Sequence, residues 1–419
     1  MVFARIRHEC TTIVRNGIRE SRIGGKPHQP LTSIPRPTMH GARRLLRLLL
    51  LLSPFAAAAP ASAQADSAAP PSPQPAVPSV ALKALVDLDY LSSASGGEDA
   101  GFLLRRVRLF TIGQLTEQLG FRVQLEPSVL AVSAAGAAPF RGVPLVEAYF
   151  DYRAAPWVVV RAGQQRLPFS QAAMTGQPSY PATEYPLAQR LLMQRVSAFR
   201  DIGLQAAGAA GALEYGVGVF NGAGINVTGD NNRTRDVMGR ASYAPAPGWT
   251  VGASGWRGRT GTLYAPGGEP RRAFYDDARF VRWGVDTRVA RGRFGAWGEY
   301  LRDETDHNPA AVHPTPDSAR LTREGWHLMG TYRPVPRLEL VARYDRWDPR
   351  VGRGGDEVTE LTGGVQWYLA ESVTPPHPRL GRALNAARRH SRVVLFVEHA
   401  DPDTGPASTA VRVRWELFY

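Results

Sequence analysis

From Ala81 to Tyr419 the chain is built of short runs in which apolar and polar residues alternate, broken by Gly, Pro, Asn and Asp. A period of two marks a strand, because successive side chains point to opposite faces of a sheet. The last run is the clearest. Val411, Val413, Trp415, Leu417 and Tyr419 share one face, Arg412, Arg414 and Glu416 share the other, and Phe418 breaks the rule. Leu338, Leu340, Ala342 and Tyr344 oppose Glu339, Arg343 and Asp345 in the same way, and Val107 and Leu109 oppose Arg106 and Arg108. Sixteen such runs begin near residues 81, 103, 119, 144, 157, 201, 212, 235, 249, 277, 293, 321, 337, 357, 391 and 409. An even number of antiparallel strands of roughly ten residues is what a transmembrane β-barrel needs. The sheet must close, since an open edge has no hydrogen-bond partner in lipid.

The connections point the same way. Short ones, at 153–156, 207–211, 245–248, 290–292 and 334–336, alternate with long polar ones such as 222–235, 261–275, 303–318 and 348–357. Short turns on one side and longer loops on the other are the pattern of an outer-membrane barrel. The connection 371–389 departs from it, being long and basic where a turn is due. The longest loop, 167–199, follows the fifth strand and carries a predicted short helix over Leu187–Val196. A loop of that length is expected to fold inward and narrow the channel. Sixteen strands enclose too wide a space for side chains to fill, so the polar strand face should line water and the apolar face should meet lipid. Trp157, Trp249, Trp347, Trp367, Tyr368, Trp415 and Tyr419 lie near run ends, where interfacial aromatic girdles are expected.

The formal charge of +13 divides unevenly. Residues 1–63 hold ten Lys and Arg against Glu9 and Glu20, so the remainder has 50 − 10 = 40 basic and 37 − 2 = 35 acidic residues, or +5. Within the first part, Arg43, Arg44 and Arg47 precede an apolar stretch, Leu48 to Ala59, too short to span a bilayer, and then Ala61-Ser62-Ala63. This is the order of a cleaved export signal. The expected organisation is an N-terminal extension at 1–38, a signal peptide at 39–63, a Pro/Ala-rich linker at 64–79 and an outer-membrane barrel at 80–419, in a bacterium. The lone Cys10 falls in the removable part, which leaves no disulfide framework and no thiolate metal site. After the signal the one lysine is Lys83.

Several arginines fall on the predicted lumen face: Arg106, Arg108, Arg122, Arg161, Arg240, Arg343, Arg412 and Arg414. Rings of cationic side chains favour anions, although Glu126, Glu147, Asp236 and Glu416 share that face. Enzyme chemistry finds little support. The late histidines have no ligand spacing, and His399 and Glu398 fall on opposite strand faces, so neither a metal, a cofactor nor a serine–histidine hydrolase is expected. No nucleic-acid motif is present. Two readings remain beside a diffusion pore: a structural or adhesive barrel plugged by its long loop, and, more distantly, a membrane-barrel enzyme.

The residues from Val146 to Asn221 resemble the phosphate-selective porin O/P family. The similarity runs through Val146-Glu147-Ala148-Tyr149-Phe150-Asp151-Tyr152 and Arg161-Ala162-Gly163-Gln164-Gln165-Arg166-Leu167-Pro168-Phe169. It continues through Arg195-Val196-Ser197-Ala198-Phe199-Arg200-Asp201-Ile202-Gly203-Leu204-Gln205 and Gly216-Val217-Gly218-Val219-Phe220-Asn221. The resemblance implies a trimeric sixteen-stranded porin for small anionic or hydrophilic solutes, phosphate among them, with its third external loop folded in. It places Arg166, Arg195 and Arg200 at the constriction. It also implies an assembly signal for the barrel assembly machinery in Val413, Trp415, Leu417 and Tyr419. Phosphate-selective members use lysines as well as arginines, whereas this chain has a single lysine, Lys83, after its signal.

Overall fold

The computed structural model describes residues 78–93, 101–127, 145–193, 199–227, 229–230, 234–259, 263–264, 270–271, 278–306, 320–372 and 389–418. The extension, signal peptide and nearly all of the linker, together with Arg195, Tyr419 and residues 373–388, lie outside these described residues.

In chain order the strands are β1 (Ser79–Ser93), β2 (Gly101–Gln114), β3 (Leu119–Leu125), β4 (Leu145–Ala155), β5 (Val158–Arg166), β6 (Arg200–Ala210), β7 (Leu213–Phe220), β8 (Asp236–Ala246), β9 (Trp249–Arg259), β10 (Leu263–Tyr264), β11 (Pro270–Arg271), β12 (Arg279–Arg291), β13 (Phe294–Asp306), β14 (Arg320–Val335), β15 (Leu338–Asp348), β16 (Val358–Ser372), β17 (Arg389–Pro402) and β18 (Ser408–Phe418). β10 and β11 pair only with each other, and the other sixteen form one closed antiparallel barrel. Closure is made by β1 on β18, in register from Leu85↔Phe418 to Ser93↔Ala410. Each of the sixteen expected runs is one barrel strand. The turns at 211–212, 247–248 and 292–293 put Gly211, Gly248 and Gly292 at φ 60°, 76° and 59°, a region that costs other residues energy.

The barrel is apolar outside and charged inside. Leu82, Phe102, Phe150, Leu204, Leu328 and Leu361 stand exposed on the outer wall, whereas Asp89, Arg343, Arg414 and Glu416 are buried within. A water-soluble protein reverses this arrangement, and a band of exposed apolar side chains on a closed sheet is a lipid-facing surface. Trp157, Trp249, Trp367 and Trp415 belong to it. Trp347 and Tyr368 do not, which corrects the girdle expected from sequence. Strand parity turns both inward, Trp347 into an apolar cluster and Tyr368 onto Glu339. Phe418, the exception in the last run, also points in and packs with Leu85 and Phe110.

The loop after β5 enters the barrel. It holds a short helix α1 (Gln171–Met174), a 3₁₀ turn (Gln177–Ser179) and a second helix α2 (Leu187–Met193). The helix expected to reach Val196 is therefore described only to Met193, since 194–198 lie outside the described residues. Ser170 starts α1 by accepting the Ala173 N–H on its Oγ at 3.2 Å. The apolar side chains of the loop are what bring it inward. Phe169, Leu187, Leu192 and Met193 pack on Met238, Trp256, Phe280, Leu301 and Trp347 of the wall, and Tyr180 and Ala182 pack on Trp297, Met329, Val394 and Phe396. Several lumen positions between β7 and β17 are thus apolar where the loop covers them.

A strand position next to this loop depends on glycine. Gly163 sits at φ +128°, and a Cβ there would lie 2.2 Å from the Ala148 carbonyl oxygen. Gly163→Ala is expected to destabilise the barrel by about 2 kcal/mol or more through backbone strain. Less of the variant should then run as the folded, heat-modifiable band on a gel.

Candidate functional site

The inward loop is fastened by charged groups of the wall. Glu299 on β13 accepts the N–H groups of Gln171 (2.8 Å) and Ala172 (3.1 Å) in the first turn of α1, and Nε2 of Gln189 in α2 (2.8 Å). Asp345 on β15 accepts the Leu187 N–H at the start of α2 (3.0 Å). Free N–H groups at a helix start are satisfied best by a carboxylate. The loop's carbonyls are held by arginines. Arg392 donates to Tyr180 (3.1 Å) and Gln177 (3.3 Å), Arg414 to Thr183 (2.9 Å) and Arg343 to Glu184 (2.6 Å). Arg190 of α2 pairs with Glu360 on β16.

These polar fastenings lie on β13–β18, while the apolar contacts of the loop reach back to β8, β9 and β12. Across the lumen, the arginines of β2–β5 keep more contact with solvent: side-chain exposure is 13–18% for Arg106, Arg108, Arg122, Arg161 and Arg166, against 0% for Arg343 and Arg414. At the centre of this open side, three guanidinium groups share one carboxylate. Glu147 on β4 takes Arg200 at 3.0 Å, Arg122 at 3.0 Å and Arg166 at 4.0 Å. Arg166 also donates to the Ala173 carbonyl of the loop, so it joins the wall to the inward segment. A second cluster closes the other edge. Glu184 of the loop meets Arg105 at 3.1 Å, Arg412 at 3.4 Å and Arg414 at 3.6 Å. Burial raises the Glu184 carboxyl, but Arg105, Arg412 and Arg414 outweigh it and hold the group well below the ordinary carboxylate range.

Arg166 and Arg200, taken from sequence as constriction residues, come together at Glu147, while Arg195 lies outside the described residues. All eight arginines assigned to the lumen face lie there, and each has a carboxylate partner. Arg106 pairs with Asp87, Arg108 with Glu126 (2.6 Å), Arg122 with Glu147 and Arg161 with Asp151 (2.7 and 2.9 Å). Arg240 pairs with Asp286 (2.8 Å), Arg343 with Asp345 (2.6 Å) and Glu360 (2.8 Å), and Arg412 and Arg414 with Asp89 (2.8 and 2.6 Å). Arg343 and Arg414 are buried and bound to loop carbonyls, so their place is behind the loop, holding it. Sequence reasoning missed Glu184, Glu299 and Arg392. Alternation assigns the two wall residues to the lumen face, but no local signal tells which wall group meets which part of a loop far away in sequence. His399 faces outward onto Thr409 and Glu398 inward onto Arg412, opposite faces as the alternation requires. Among the described residues no group of His, Cys, Asp and Glu is placed to hold a metal ion.

The fold is similar to that of solved outer-membrane proteins. Outer-membrane-expressed OmpT of Vibrio cholerae superimposes with a TM-score of 0.55 at 12% identity, covering 82% of this chain and 99% of that one. An in-vitro folded trimer form of OmpT gives 0.54 at 12% identity, covering 82% and 99%. The outer membrane channel DcaP of Acinetobacter baumannii gives 0.50 at 12% identity, covering 81% and 97%. At such identities the likeness is one of fold alone. No curated protein sequence matches the chain. Residues 83–257, which run from β1 into β9, match the family described as phosphate-selective porin O and P. The chain folds as a closed antiparallel barrel of sixteen strands with the architecture of outer-membrane barrels, and its residues 83–257 match the model of the phosphate-selective porin O and P family.

Proposed function

We propose that the protein is a bacterial outer-membrane porin, exported through a cleaved signal peptide, that passes small hydrophilic solutes by passive diffusion and favours anions. It catalyses no reaction. The observation that carries the anion bias is the cluster at Glu147, where Arg122, Arg166 and Arg200 surround a single carboxylate. Three cations and one anion leave a local excess of positive charge on the solvent-reached side of the narrowing, and fixed charge at a constriction sets which ions enter. Arg106, Arg108 and Arg161 extend that side along the wall.

The resident carboxylates also bear on phosphate. A multiply charged oxyanion must compete with Glu147, Glu126 or Asp151 for its guanidinium partners, which favours a general anion preference over a tight phosphate site. Glu147→Gln removes the one negative charge of the cluster. It is expected to shift the zero-current potential further toward the chloride limit, by an amount that shrinks at high salt. The trimer form of OmpT supports a homotrimer in the outer membrane, and Val413, Trp415, Leu417 and Tyr419 are the signal read by the barrel assembly machinery in this proposal. Cross-linking of the unheated protein should give a band of three chains.

Conduction tests the reading against its main rival. The purified barrel added to a planar lipid bilayer should produce discrete current steps. A correctly folded barrel that passes no current would instead support a structural or adhesive role with the inward loop as a plug.

A further inference from the structure

Six neighbouring strands alternate aromatic and cationic side chains across the lumen wall. The order is Phe418 (β18), Lys83 (β1), Phe110 (β2), Arg122 (β3), Tyr149 (β4) and Arg161 (β5). Each member adjoins the next. Lys83 Nζ lies 5.8 Å from the Phe418 ring centre and is the direct cross-strand partner of Phe110. The Arg122 guanidinium lies 5.2 Å over Phe110 and is the direct partner of Tyr149. The Arg161 guanidinium lies 3.9 Å over the Tyr149 ring. The stripe contains the one lysine that follows the signal segment. From β1 to β5 it lies across from the strands that fasten the inward loop; Phe110 and Phe418 are buried, and Lys83, Arg122, Tyr149 and Arg161 are half-buried.

Resting on the pore reading above, we infer that this stripe is a binding track for aromatic monocarboxylates. A cation over a ring is attracted to the ring face, and a planar solute entering such a row finds both halves of its own chemistry. Its ring packs beside Tyr149 and the guanidinium groups next to it, and its carboxylate takes an N–H from Arg122 or Arg161. The carboxylates beside the stripe decide the charge of the solute. Asp151 already occupies Arg161 and Glu147 occupies Arg122, so a small, strongly hydrated polyanion gains little there. A singly charged anion with an aromatic body gains from the rings as well as from the cations.

The test uses the full-length protein in planar bilayers carrying a chloride current, with sodium benzoate, sodium acetate and sodium cyclohexanecarboxylate as probes of equal charge. Benzoate is expected to halve the current at a concentration about fivefold lower than either of the others, the factor that roughly 1 kcal/mol provides. In Tyr149→Leu the ratio of benzoate to acetate should fall toward one. The wild-type comparison needs no variant, so the inference stands or falls even if Tyr149→Leu does not fold. Equal block by benzoate and acetate, or by benzoate and cyclohexanecarboxylate, overturns the inference and leaves the pore intact. Absence of any chloride current takes both down.

Discussion

Replacing Arg166 and Arg200 together with glutamate is expected to reverse the ion preference of the pore. The double variant changes the local charge by four units beside Glu147 and leaves Arg122 as the one cation of that cluster. Neighbouring charges a few ångströms apart interact by roughly 1–4 kcal/mol at the effective dielectric of a wet protein surface, so the anion-to-cation permeability ratio should fall by about tenfold or more. The zero-current potential in a salt gradient should change sign. The barrel itself should survive, because its strands are held by ladder bonds and its loop by the fastenings on β13–β18. An unaltered potential in a folded double variant would remove these arginines from the ion path.

Glu299→Ala should have the second largest effect, on the loop and not on the charge of the open side. The carboxylate satisfies two helix-start N–H groups and the Gln189 amide. Removing it leaves the Gln171 and Ala172 N–H groups without that acceptor and Gln189 Nε2 with only Ser170 Oγ, at a cost of about 2 kcal/mol or more in the fastening of the loop. The apolar contacts of Phe169, Leu187 and Met193 remain, so the loop should stay inside but move more. The expected outcome is a larger and noisier single-channel conductance with ion preference preserved. A conductance equal to that of the unaltered protein, in a barrel that still shows heat-modifiable migration, would mean that Asp345 and the arginines Arg343, Arg392 and Arg414 hold the loop without it.

The strand pattern was legible because a membrane barrel repeats one constraint along its whole wall. Every second residue meets lipid, and an error of one residue would expose Arg412 or Arg414 to it. That constraint fixes strand number, face and the alternation of turns and loops, and it places the arginines on the lumen side. It loses force where something other than lipid or water covers a face. Trp347 and Tyr368 look like girdle residues from their position near strand ends, yet the loop and Glu339 receive them inside. Phe418 breaks alternation because a small apolar cluster with Leu85 and Phe110 takes it in. The constriction was legible only in part. Arg166 and Arg200 stand out through the family resemblance, but the carboxylates that neutralise the lumen arginines depend on cross-strand register. Glu299 and Asp345 act on backbone N–H groups more than a hundred residues away in sequence, and a single sequence carries no trace of such pairing. The same register produces the aromatic and cationic stripe, which spans six strands from Lys83 to Phe418 and is invisible in any one of them.

The most direct test of the pore reading is the zero-current potential of the unaltered protein in a planar bilayer under a potassium chloride gradient, repeated with inorganic phosphate added. The expected result is a potential displaced toward the chloride limit that phosphate at low concentration leaves nearly unchanged. A potential on the potassium side would contradict the anion preference drawn from Arg122, Arg166 and Arg200 around Glu147, and full block of the current by low phosphate would contradict the general character of the pore.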